Sequence, residues 1–467
     1  MTLRLAHSPR LALAAGLLAL ASCAPIRPTE ISPQTTAASF RARSLDDAGL
    51  RRLATQPTTG FVTWPPSRLD SRALDLTALY FNSSLQVSRS KWQVANAAIA
   101  TAGQIPNPTI NVSPLYVVTA TAGISPWVVA SSLVQIIETA GKRQFRLARA
   151  QYVAEAARLD VLSAAWDTVG QVNGAVLDVA AAQSRVAAME SQVAAQSGLV
   201  EIADKRLQAG LGSRLELTTV RTNLTRAVSG QQTARTMLIE AQHQLAQAIG
   251  LSIESLPLDR LQLPPLNQAL PLGFEARIRD NAALNRADLL ARLADYAASE
   301  VGLQLEAASR IPNLELGPSF EYDQGNRKWG LSAAFQLPIF NQNQGPIAEA
   351  LAQRRQAADQ LVALQARIIG EVNRSIAAYG AALKSLSVAE HLFQQQNQQL
   401  RAQEALFARG ETDRLELFAA RVEAATAALA RIDAQAALAK ACLSVELAGH
   451  LFPDGFNPAA LALPEWR

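Results

Sequence analysis

Histidine and cysteine are nearly missing from this 467-residue sequence: the histidines are His7, His243, His391 and His450, and the cysteines are Cys23 and Cys442. Ligands scattered so far apart form no closely spaced metal-binding set, which argues against a zinc enzyme, and no metal or cofactor is expected. An excess of charge is lacking too. The 43 Lys and Arg stand against 39 Asp and Glu, a net charge of +4, too balanced for a surface that must offset many phosphates, so no nucleic-acid partner is expected. The apolar stretch Leu11–Leu20 is too short to span a bilayer, and the composition is not that of a multi-pass helix bundle. With 49% hydrophobic residues the chain is nevertheless able to build a large core and is not disordered. Its length suggests about three domains, a prior that yields where repeats and long helices are found.

Residues 1–22 read as a targeting signal, with Arg4 and Arg10 ahead of the apolar run. The run closes on Leu20-Ala21-Ser22-Cys23, which resembles a bacterial lipobox and makes Cys23 the lipidation site, the signal being cut before it. An ordinary secretory signal with a bystander cysteine is the alternative. Ala24 is not the aspartate that retains lipoproteins at the inner membrane, which favours outer-membrane sorting. Cys442 is left without a partner and is expected to be a buried helical thiol.

The remainder is written twice. Lys205-Arg206-Leu207-Gln208-Ala209-Gly210 and Arg214-Leu215-Glu216-Leu217 return as Leu406-Phe407-Ala408-Arg409-Gly410 and Arg414-Leu415-Glu416-Leu417, 200 positions later. Ile105-Pro106-Asn107 returns as Ile311-Pro312-Asn313. Matches in Gly, Pro, Asn and Arg are not produced by alanine bias. Each copy reads as helix, two strands, long helix, tight turn and return helix. No proline interrupts Lys142–Ala209, and apolar residues from Phe145 through Leu159, Trp166 and Val176 to Val193 recur three and four apart, a heptad seam. At 1.5 Å per residue such a helix runs roughly 100 Å. A second seam runs from Ile347 through Ile368 and Tyr379 to Phe407.

Strands are expected at about 107–119, 126–137, 313–323 and 328–338, with a turn at Gln324-Gly325-Asn326. Leu314, Leu316, Phe320 and Tyr322 alternate with Glu315, Ser319, Glu321 and Asp323; Trp329, Leu331, Ala333, Phe335 and Leu337 alternate with small and polar residues. Ten-residue segments with one apolar and one polar face fit outer-membrane strands, although hairpins covering a soluble bundle would read similarly. Four strands cannot close a barrel, so subunits must share one: eight strands in a dimer or twelve in a trimer.

Lipobox, duplicated strand pairs after Pro-Asn and Gly-tipped long hairpins together resemble the TolC-type outer membrane efflux proteins over roughly residues 68–452. The resemblance implies a mainly α fold with a β-barrel portion: a homotrimer with a twelve-stranded barrel in outer-membrane lipid, continued by a periplasmic α-helical tunnel. It implies a passive exit duct fed by a periplasmic adaptor and an inner-membrane pump, and no enzyme. Glu138-Thr139-Ala140-Gly141-Lys142-Arg143 and the segment from Leu337 to Gly345 resemble strand-to-helix junctions of the heavy-metal (cobalt-zinc-cadmium) branch, partnered with RND-type pumps. A multidrug duct is the alternative within the same fold, and a periplasmic coiled-coil adaptor lies further off, because it would carry one hairpin rather than two.

By the same resemblance the tips, Gly210, Leu211, Gly212 and Ser213 in the first copy and Gly410, Glu411, Thr412 and Asp413 in the second, contact the adaptor. Glu216 and Glu416 line the pore constriction, where a threefold axis would make rings of carboxylates that attract cations. A solvated helix face paired with Arg214 or Arg414 is the alternative for either Glu. Thr219 and Ala419 stand where family members often carry a second acid, which weakens a double ring.

The implied organisation is signal (1–22), lipid anchor and extended strap (23–68), first repeat (69–256), linker (257–280), second repeat (281–452) and tail (453–467), with Pro453 breaking the last helix. Gly141-Lys142 is no phosphate loop, since Ile136 and Arg143 occupy positions that would need Gly and Ser or Thr. An envelope hydrolase is excluded by the lack of a nucleophile beside a histidine.

Overall fold

A computed structural model describes residues 30–57, 59–120 and 122–462; the signal segment and Cys23 lie outside the described residues. Residues up to Arg43 form a unit of their own, in which α1 (Pro33–Arg41) starts at Ser32, whose hydroxyl accepts from the Thr35 N–H, with Pro33 in the first turn. From Ser44 onward the chain forms a second unit. There α2 (Ala48–Ala54) is capped by Asp47, which accepts the N–H groups of Gly49 and Leu50 at 2.8 and 3.0 Å, and it buries Leu50, Leu53 and Ala54. The expected extended strap is therefore corrected: two capped helices occupy it, because Ser32 and Asp47 supply cap acceptors and the second helix has an apolar face to bury.

In the first copy α3 (Ser71–Phe81) and α4 (Ser83–Ala102) lead to β1 (Thr109–Tyr116) and β2 (Trp127–Ile137), then α5 (Lys142–Gln208) and α6 (Arg214–Ile249). The second copy repeats this order with α7 (Phe274–Asn285), α8 (Ala287–Ala308), β3 (Leu314–Asp323), β4 (Asn326–Phe335), α9 (Gln344–Ala408) and α10 (Arg414–Gly449). The 67 residues of α5 and 65 of α9 make each roughly 100 Å long. Among the described residues no helix is long and apolar enough to cross a membrane.

The seam of α5 is buried from Ala156 through Trp166, Val169 and Val172 to Val179, and alanines at 154, 165, 180 and 182 are buried beside it, so small residues let neighbours approach on two flanks. The seam of α9 is buried only around Ile368, Val372, Ile376 and Tyr379, while Val362 and Val388 stand 65% and 70% exposed. Lys142 fixes the start of α5: its Nζ donates to Asn313 Oδ1 at 2.6 Å and to the Ile311 carbonyl, tying the first long helix to the second Ile-Pro-Asn.

The four strands form one antiparallel sheet in chain order, with β1 and β4 as free edges. In register, Val112, Ser131, Phe320 and Trp329 cross one face in a row, and Asn111, Ser132, Ser319 and Gly330 cross the other. The alternation read from single strands thus holds across the sheet. Strand β4 begins two residues earlier than expected, since Gln324 and Gly325, both at positive φ, close a two-residue turn and leave Asn326 paired with Asp323. The last helix also ends before Pro453: His450 takes the left-handed cap at φ +48, the place Gly250 holds at φ +87 in the first copy. The linker likewise gives way to α7 at Phe274, inside the expected 257–280 span.

Candidate functional site at the hairpin tips

Both long helices end in the same closure. At the first tip the Leu211 N–H donates to the Arg206 carbonyl and the Gly210 N–H to Leu207; at the second, Glu411 donates to Leu406 and Gly410 to Phe407. This pairing requires a left-handed residue, and Gly210 and Gly410 supply φ +73 and +75. Ser213 and Asp413 then cap the return helices, their side chains accepting the N–H groups of Glu216 and Glu416 at 3.0 and 2.9 Å. Each tip is thus a three-residue link between two satisfied helix ends.

Glu216 is half-buried and Glu416 exposed. Thr412 donates its hydroxyl to the Glu416 carboxylate. Among the described residues neither Glu makes an ion pair with Arg214 or Arg414; the local pairs are Arg206–Asp413 at 3.8 Å, Arg409–Glu411 at 3.1 Å, Lys205–Glu201 at 2.5 Å and Arg221–Asp204 at 3.2 Å. The Lys205 ammonium holds the Glu201 carboxyl below its ordinary value. Leu211 and the other tip residues are exposed apart from half-buried Gly212 and Thr412. Between the tips lies a groove of about 300 Å³ lined by Gly198, Arg206, Leu211, Arg414 and Phe418 among others.

Sequence reasoning missed how the two hairpins are joined. Along α5 and α10 run three polar rungs, Asp178–Lys440 at 2.5 Å, Arg185–Asp433 and Gln192 Nε2 donating to Thr426 Oγ1 at 3.3 Å, and a fourth joins Arg206 to Asp413, the cap of α10. Successive members are seven residues apart on each helix down to Gln192 and Thr426. At the omitted step, near Leu199, the Phe418 ring fills the space over Gly198. Such half-exposed pairs are each worth about 0–1 kcal/mol, so they set register more than stability. Their signal in the sequence is the seven-residue spacing of mirrored charges.

Among the described residues no cluster of His, Cys, Asp and Glu could hold a metal ion. Cys442 is buried with its thiol directed at the Gln268 carbonyl, and burial first, then the nearby Glu446, pushes that thiol up to about 11, so it is inert.

Long antiparallel helical hairpins rising from an open-edged sheet with one apolar face define the architecture of an outer-membrane channel protein. The chain belongs to the outer membrane efflux protein family, whose model matches residues 77–251 and 278–448, a family of channels and not of enzymes. Solved structures share the fold: a membrane protein from Pseudomonas aeruginosa (19% identity, 91% of this chain and 99% of that one, TM-score 0.67), VceC from Vibrio cholerae (16%, 81% and 96%, 0.66) and the CmeC outer membrane channel from Campylobacter jejuni (16%, 94% and 92%, 0.67). No curated protein matches the chain in sequence.

Proposed function

We propose that this chain is the passive outer-membrane exit duct of a tripartite efflux system. Three copies join β1 of one to β4 of the next into a twelve-stranded barrel, the helices continue as a periplasmic tunnel, and the tips at Gly210–Ser213 and Gly410–Asp413 seat a periplasmic adaptor. An inner-membrane pump, of the RND type, supplies the energy. The carrying observation is the four-stranded sheet with both edges unpaired and both edge strands exposed along their whole length. Open edges invite pairing, and about eight strands are the fewest that close a natural barrel. The unburied apolar positions of α9, Val362 and Val388 among them, support the same reading, because in a trimer they have a neighbour to cover them. A coiled-coil adaptor is set aside by the family match over two segments.

Cys23 carries the lipid anchor. Glu216 and Glu416, repeated around the threefold axis, form carboxylate rings at the closed end and favour cations there. The cargo is heavy-metal cations, a reading supported by the Leu337–Gly345 junction and by the Gly141-Lys142 start of α5. A multidrug duct is the second reading, since a wide aqueous tunnel needs few specific contacts. Growth of a deletion strain across graded zinc, cobalt, cadmium, nickel and copper, beside dyes, detergents and antibiotics, tests this. Metal sensitivity restored by the gene supports the heavy-metal cargo; sensitivity to organic compounds alone discards it and leaves the multidrug duct.

A further inference from the structure

The linker between the repeats and the C-terminal tail meet over a cavity of about 610 Å³. Its charged lining comes from Arg72 and Asp75 of α3, Glu446 of α10 and Asp454 of the tail. The tail is held by apolar packing, with Phe452 and Ala462 buried beside Leu85 and Trp166, and by polar contacts: Arg89 Nε donates to the Ala462 carbonyl at 2.8 Å, Arg72 Nη2 donates to Asp454 Oδ2 at 3.0 Å, and the Arg72 guanidinium lies 5.8 Å from the Phe456 ring centre. Arg72 thus meets the tail twice near its start, through Asp454 and Phe456, and Asp454 also accepts the Phe456 N–H at 3.0 Å. The cavity holds three carboxyls and one guanidinium.

The groups facing Glu446 are few. Arg72 and Asp75 come from α3 and Asp454 from the tail; α5 presents the neutral Asn173, and the linker from Pro264 to Pro271 carries no charge. Cys442, one turn back on α10, stays a neutral thiol. His450, one turn on, faces Arg286 and Asp288 instead. Asp75 is 3% exposed, and the Asn173 amide nitrogen donates to its carboxyl oxygens at 3.1 and 3.2 Å and to the Val169 carbonyl at 3.1 Å.

We propose that Glu446 is the proton sensor of a clasp that holds the C-terminal tail on α3. While its carboxyl keeps the proton, Arg72 and Asp454 stay paired; when the proton leaves to water, the new carboxylate confronts Asp454 across the cavity, and the tail opens more readily. An ion pair about half exposed, as Arg72–Asp454 is, is weak enough for one added like charge to undo. Burial first, and then the charge of Asp454, holds the Glu446 carboxyl up at about 7. Asp75 is pushed well above its ordinary value, chiefly by burial and against the opposing Asn173 hydrogen bond. The sign follows from linkage: a carboxyl raised in the closed state favours closure at low pH, and that preference is lost as the pH rises through about 7.

The test is hydrogen exchange of the tail amides Phe452–Leu461 in the full-length, detergent-extracted protein, expressed as protection factors so that the chemical pH dependence of exchange cancels. For a carboxyl held at about 7 when the clasp is closed and returned to its ordinary value when it is open, protection falls about tenfold between about pH 6 and about pH 8. Glu446→Gln is expected to flatten that fall to less than about twofold by the same relation. Asp454→Asn, which removes the Arg72 partner and with it the smaller cause of the raised Glu446 carboxyl, is expected to lower tail protection already at the acid end. Wild-type protection that is flat across the range, an unaltered pH dependence in Glu446→Gln, or wild-type protection at the acid end in Asp454→Asn would each overturn the proposal.

Discussion

Gly198 and Phe418 allow a sharp test of how the hairpins pack. A Cβ added at Gly198 would sit 2.0 Å from the Phe418 ring, closer than carbon atoms approach, so Gly198→Ala forces the ring to move. Two opposed effects then compete. Ala is favoured over Gly within a helix by about 1 kcal/mol, whereas overpacking costs about 1–3 kcal/mol. The net change expected for Gly198→Ala is a destabilisation of about 0–2 kcal/mol by these magnitudes. Phe418→Ala alone should cost about 1–3 kcal/mol, less than the loss of a fully buried ring, because Phe418 is only half-buried. In the Phe418→Ala background the obstruction is gone, and Gly198→Ala should now stabilise by about 1 kcal/mol, reversing its sign. A double-mutant cycle by thermal unfolding of the detergent-extracted protein at one scan rate reads this directly. Effects that add to within about 0.5 kcal/mol, or a Gly198→Ala that stabilises in both backgrounds, would refute the packing argument.

Other outcomes follow from the caps and the buried groups. Ser213→Ala and Asp413→Ala each remove the acceptor for a return-helix N–H and should each destabilise by about 0.5–2 kcal/mol, with Gly costing less at the same positions; equal melting of Ala variants and wild type would contradict the cap assignment. His450 is half-buried and stacked on Trp166, and desolvation, then the Arg286 charge, lowers its pKa to about 4. A base lowered on folding contributes stability that is present above its unfolded value and lost as pH falls from there through about 4, a loss of up to about 3 kcal/mol. His450→Asn, which tolerates the left-handed backbone, should remove that acid sensitivity in melts between those limits, and an unchanged pH profile would count against it. Glu416→Gln should lower cation selectivity in single-channel recordings, and unchanged conductance and selectivity would take it out of the pore.

What could be read from the sequence was what rests on local chemistry. Glycine between a helix end and a capping Ser or Asp announces a tip, and Gly210-Leu211-Gly212-Ser213 and Gly410-Glu411-Thr412-Asp413 fold as that chemistry requires. Strand alternation was legible for the same reason, since one residue of slip would turn every apolar side chain to the other face. The helices in the strap were hidden because Ser32 and Asp47 sit in a Pro- and Thr-rich stretch that resembles a linker. The end of α10 was misread because the left-handed place is filled by His450, and only alignment with Gly250 reveals it. The rungs between α5 and α10 depend on which helices are neighbours, and a single helix does not disclose its partner. The setting of Asp75 and Glu446 was not legible, because the cavity they line is closed by a linker and a tail distant in sequence.

The central claim is that three copies complete one barrel across the free edges of β1 and β4. Native mass spectrometry of the protein extracted in mild detergent weighs that assembly directly. The account predicts a single dominant species of three chains that persists on dilution; a dominant monomer or dimer would contradict it.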